Sequence, residues 1–125
     1  MLRLPRLFVA SLLVLPLSLV PSCAAPQRLE SVMVLPGDTT LLGFGLQVHY
    51  KAYGSFVHPP ETLDISNTVT WSSSSPQIVS IDNTGIATYV QGCATNLLIT
   101  ATYTHNGSVM VGTANLTGQD PSCSQ

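Results

Sequence analysis

Beyond its first twenty or so positions, this chain alternates apolar and polar residues with the period of two that marks half-buried strands. The alternation is clearest at Leu46, Val48, Tyr50 and Ala52, set against Gln47, His49 and Lys51. It is equally clear at Leu97, Ile99, Ala101 and Tyr103, set against Leu98, Thr100 and Thr102. Val32 and Val34 alternate within Leu29 to Leu35, and Pro36-Gly37-Asp38 stops that run with turn residues. Thr39 to Gly45 reads as a short edge segment whose glycines suit a bulge or a change of sheet. Val69 to Ala87 reads as three short strands. The first carries Val69 and Trp71, a serine run and Pro76 interrupt it, and Val79 and Ile81 alternate next. Asp82-Asn83-Thr84-Gly85 then makes a turn in which Asp and Asn cap amides and Gly takes positive φ. His105-Asn106-Gly107-Ser108 is a hairpin signal with Val109 to Thr117 as its return strand. Gly54 to Asn67, interrupted by Pro59 and Pro60, reads mostly as loop, with a brief strand around Leu63 to Ile65.

Some seven to eight short strands in roughly 90 residues imply an all-β Greek-key sandwich. A lone Trp among such strands belongs between the sheets. Period-2 counting makes Trp71 the central core residue, with Leu46, Val48, Ile81, Ile99 and Ala101 as its neighbours.

Composition agrees with strands and turns: only 8% of residues are charged and 6% aromatic. The opening departs from the rest. Arg3 and Arg6 precede an apolar run from Leu7 to Val20, as in a secretory leader. As a helix that run rises about 21 Å, short of the roughly 30 Å hydrocarbon core, which disfavours a permanent span. Setting the leader aside leaves two bases, Arg28 and Lys51, against six acids, a balance of −4. With no basic stripe, nucleic acid is excluded as a partner.

The leader ends at Val20-Pro21-Ser22-Cys23, which resembles the lipobox of bacterial lipoprotein signal peptides; Pro21 departs from the usual residue there. The resemblance implies a signal peptide over 1–22, lipid on Cys23 as the mature N-terminus, a tether over 23–28, and a membrane-anchored location in the cell envelope, facing the periplasm or the exterior. The alternative is ordinary secretion with cleavage after Ala24 or Ala25. Lipid on Cys23 leaves Cys93 and Cys123 as a pair in an oxidising compartment. Reflecting position 93 through the hairpin centre near Asn106 lands near 119, a few residues short of Cys123. A disulfide is expected there, against the alternative of free thiols or mixed disulfides.

Val69-Thr70-Trp71-Ser72-Ser73-Ser74-Ser75-Pro76, Val79-Ser80-Ile81-Asp82, Gly85-Ile86-Ala87, Gly92 and Ile99-Thr100-Ala101-Thr102 together resemble the bacterial immunoglobulin-like domain, group 2. The resemblance covers Leu29 to Thr117 and implies an immunoglobulin-like sandwich over 29–118, followed by a tail over 119–125. A longer Tyr53 to Asn67 loop and the added length after Cys93 depart from the pattern. Such domains occur in bacterial surface proteins, including adhesins, and as spacers beside catalytic modules. The resemblance therefore implies a non-catalytic module for adhesion or for binding a protein or glycan, or else an accessory subunit of a larger assembly.

Candidate chemistry is sparse. His49, His58 and His105 lack metal-ligand spacing, Ser72 to Ser75 lack a nucleophile-elbow setting, and Glu61 and Asp64 share one loop. No catalytic residue, metal, cofactor or small-molecule substrate is expected. The expected contact surface is the Tyr53 to Asn67 loop, where Tyr53, Phe56, His58, Pro59 and Pro60 offer rigid apolar contact, against the alternative that Phe56 simply tucks over the open end of the sandwich.

Overall fold

The computed structural model describes residues 23–124, so the apolar leader expected over 1–22 lies outside the described residues. Ten strands run in order: β1 (Arg28–Leu35), β2 (Thr39–Leu41), β3 (Gln47–His49), β4 (Lys51–Val57), β5 (Glu61–Asp64), β6 (Thr70–Ser73), β7 (Val79–Ile81), β8 (Ile86–Tyr89), β9 (Ala94–His105) and β10 (Ser108–Gly118). A 3-10 turn, Pro121–Ser124, follows. One layer of the resulting β-sandwich is the sheet β2-β10-β9-β6. The other combines β1-β4-β5 with β3-β8-β7. These two sheets are continuous through the chain itself, since β3 and β4 are one run broken only at Tyr50, whose N–H donates to Gly85 O at 2.8 Å.

The long hairpin β9–β10 forms the backbone of its layer, with Ile99 opposite Ala114 and Leu97 opposite Leu116, all four facing inward. Trp71 pairs with Ala101 on β9 and is 8% exposed, its indole N–H donating to Ser66 O at 3.2 Å. Tyr50, Ala52, Val79, Ala87 and Tyr89 close the core from the other layer. Val48 and Ile81 pack against the core's edge, half-buried. β2 pairs in parallel with the end of β10, so the chain leaves one layer after β1 and enters the other at Thr39.

Two expectations are corrected. Leu46, expected beside Trp71, is 48% exposed. Its parity is that of Val48, Tyr50 and Ala52, but it precedes β3, beyond the cover of the opposing layer. The expected Tyr53 to Asn67 loop is instead largely a hairpin of β4 and β5, which pair from Tyr53–Asp64 to Phe56–Glu61. Gly54, where the expected loop begins, is a packing residue there: a Cβ would lie 2.7 Å from Leu29 Cδ1 and 3.1 Å from Ile65 Cδ1.

Candidate functional site

Two hairpin tips stand at one end of the sandwich. The β4–β5 tip is His58-Pro59-Pro60, with His58 in the left-handed region at φ 62°. The β9–β10 tip turns through Asn106 and Gly107, at φ 48° and 78°. The segment Ala25 to Leu29 runs beside them, because the β1–β4 register places Arg28 opposite Val57. Together these elements enclose a cleft of about 810 Å³. Leu29, Phe56 and Met110 give it an apolar floor, and Arg28, His58 and His105 stand around it. Tyr103 adds an aromatic wall, its ring 6.2 Å from that of His105 and tilted by 34°. Asn106 Nδ2 lies 3.0 Å from His105 Nε2, and with the ring proton on Nδ1 the amide donates to it. Gln27 donates through its side-chain amide to Glu61, fastening the segment before β1 to the β4–β5 hairpin.

Of the expected contact residues, this cleft brings together Phe56 and His58. Tyr53 is half-buried farther along β4, opposite Met33 and Asp64, and Pro59 and Pro60 are exposed at the tip outside the lining. Sequence reasoning missed Arg28, Tyr103, His105 and Met110. The hairpin signal around Asn106 was visible, but its arrival beside the β4–β5 tip depends on pairings between distant strands.

The opposite end is different in kind. Cys93 and Cys123 are joined by a disulfide, 30 residues apart, with Cα atoms separated by 5.8 Å. Antiparallel pairing brings this about, since Ala94 faces Gly118 at the end of the ladder. Leu42, Phe44, Leu46 and Val90 lie exposed around this end. The loop carrying the first three is held to β8 by Gly45 N–H donating to Tyr89 O at 2.7 Å and by an edge-on Phe44–Tyr89 contact at 5.0 Å. Cys23 is a free, exposed thiol.

Several carboxylates serve local turns. The Ser66 hydroxyl, then its amide, donates to Asp64 and lowers that carboxyl's pKa. The Thr84 hydroxyl does the same for Asp82, helped by the amides of Ile86 and Thr84, and the Ser122 hydroxyl and amide for Asp120. Among the described residues, no three His, Cys, Asp or Glu side chains gather as a metal-binding group. No described helix is long and apolar enough to cross a membrane. Burial raises the pKa of Tyr50, whose hydroxyl is enclosed near Thr39.

No family model and no curated protein matches the chain. Among solved structures it is similar to a bacterial Ig-like domain-containing GH10 xylanase from termite gut, at 18% identity and a TM-score of 0.37. That match covers 65% of this chain and 19% of the xylanase, so the chain spans about a fifth of its length.

Proposed function

We propose that this chain is a non-catalytic binding domain displayed on the bacterial cell envelope, of the immunoglobulin-like kind its Trp71 block resembles. In this reading the leader is removed, Cys23 carries lipid, and residues 23–28 tether the sandwich to the membrane. The observation that carries the binding role is the convergence of two hairpin tips and the tether on one cleft with an apolar floor and an aromatic, imidazole and guanidinium rim. Binding sites of this kind combine apolar surface with a few placed polar groups. Half of the six acids outside the leader are engaged by their own turns, which suits a scaffold better than acid–base work.

The anchor is tested by mass spectrometry of protein from the membrane fraction: residue 23 should bear acyl chains, and an unmodified Ala24, Ala25 or Pro26 N-terminus refutes it. The contact role is tested by capture from envelope extracts with wild-type protein and with the double variant His58→Ala, His105→Ala. Capture at equal strength by both refutes the cleft as the contact site. A second role, as a subunit docked in a larger assembly, is favoured by the apolar end at Leu42, Phe44, Leu46 and Val90.

A further inference from the structure

The charges outside the leader are distributed unevenly with respect to the cleft. Of the two permanent cations there, Lys51 pairs with Asp64 at 3.5 Å, while Arg28 stands at the cleft without an ionic partner among the described residues. Two of the three histidines, His58 and His105, stand there as well. One acid, Glu61, stands beside the cleft and is engaged by Gln27; Asp38, Asp64, Asp82 and Asp120 lie on other parts of the domain, so an anionic ligand meets less repulsion here than over much of the surface. Planar rings and short polar side chains complete the lining. Tyr103 and His105 offer ring faces, and Asn106 and Ser108 offer an amide and a hydroxyl. That set complements a ring with apolar C–H faces and equatorial hydroxyls.

A peptide adding itself as a strand finds less to pair with. β4 already has a neighbour on each side, β1 and β5, and of these two edge strands β5 contributes no residue to the lining. β1 also closes on β10 so tightly that a Cβ at Gly112 would lie 2.7 Å from Val32 O. Ligands of this cleft therefore meet side chains and not an open backbone ladder.

We propose that the cleft binds an acidic oligosaccharide, with sugar rings stacked on Tyr103 and His105 and a uronate carboxylate paired with Arg28. This rests on the reading of the cleft as the contact site and names its ligand class. Arg suits that task because its planar fork matches a carboxylate in two hydrogen bonds.

Isothermal titration of the full chain with tetragalacturonate tests it, with the fully methyl-esterified tetragalacturonate as the neutral counterpart and tetraglutamate as the acidic peptide. Saturable 1:1 binding of tetragalacturonate is expected, at least tenfold tighter than its methyl ester. Arg28→Gln, a change at an exposed side chain, should remove that preference for acid. His105→Ala should weaken both sugars without changing the melting temperature. Absence of tetragalacturonate binding, or binding indifferent to Arg28→Gln, overturns the proposal, as does equal or tighter binding of tetraglutamate. If sugar binding fails while envelope capture still depends on His58 and His105, the ligand class is wrong and the contact site stands. If capture is also indifferent to those histidines, both fall.

Discussion

Gly85 sits where the Tyr50 carbonyl of its own layer and the Trp71 ring of the other both press on the backbone, and replacing it by alanine separates strain from crowding. Its φ is +87°, and a Cβ there would lie 2.5 Å from Tyr50 O and 3.1 Å from the Trp71 ring. The carbonyl belongs to the segment joining β3 to β4 and cannot swing aside as a flexible side chain does. Gly107 supplies the control: its φ is +78°, but nothing lies within 4 Å of its would-be Cβ. Gly107→Ala should therefore cost only the left-handed backbone term, about 1–2 kcal/mol. Gly85→Ala adds overpacking of about 1–3 kcal/mol, for a total of roughly 2–5 kcal/mol. A small domain holds only about 5–15 kcal/mol in all, so the larger loss is a substantial share. Urea unfolding followed by Trp71 fluorescence reads the difference. With a slope of about 1–3 kcal/mol/M, the two midpoints should part by roughly 1 M while the slope stays constant. Equal midpoints for the two variants refute the close packing of Tyr50 and Trp71 over this turn.

Trp71→Ala should cost about 3–5 kcal/mol, and Trp71→Phe about 1–3 kcal/mol because Ser66 O loses its indole donor; wild-type emission should be blue-shifted, and emission like that of free tryptophan in water refutes the burial. Replacing Cys93 and Cys123 together by serine should remove roughly 3.5 kcal/mol in the chain-entropy account of a loop this size, and an unchanged melting temperature would show the bridge to be dispensable. Acid should weaken the fold. Asp64, Asp82 and Asp120 have pKa values lowered in the folded state, so their contribution is complete above the unfolded value and disappears as pH falls through the folded one. Unfolding midpoints should thus hold steady down to about pH 4 and decline below it; Asp82→Asn should flatten that decline, and an unaltered pH profile in the variant would count against the turn's role.

Strand pattern carried much of the fold into view, and its failures have physical causes. The face Leu97, Ile99, Ala101 and Tyr103 was legible because β9 is long, regular and covered on one side only. Leu46 misled because alternation records parity and not how far the opposing layer extends. Gly54 and the Pro59-Pro60 pair masked the β4–β5 hairpin: the glycine makes room for Leu29, a residue from another strand, which local pattern does not register. The pairing of Cys93 with Cys123 was accessible because one hairpin sets its register. The cleft was only half legible, since Phe56 and His58 belong to one hairpin while Arg28, Tyr103 and Met110 reach it from three other strands.

The disulfide has a mechanical consequence. β1 begins at the cleft end and β10 finishes at the other, so tension applied between the two ends of the sandwich runs along its strands and loads the β1–β4 ladder in shear. The bridge passes that tension from Cys93 directly to Cys123, so the 30-residue separation, about 100 Å of extended chain, is withheld from stretching. β9 and β10, which carry much of the core, lie wholly inside the protected segment. Pulled from its ends, the domain should yield a short extension under oxidising conditions and a longer one once the bridge is reduced, giving it a built-in stop against full extension.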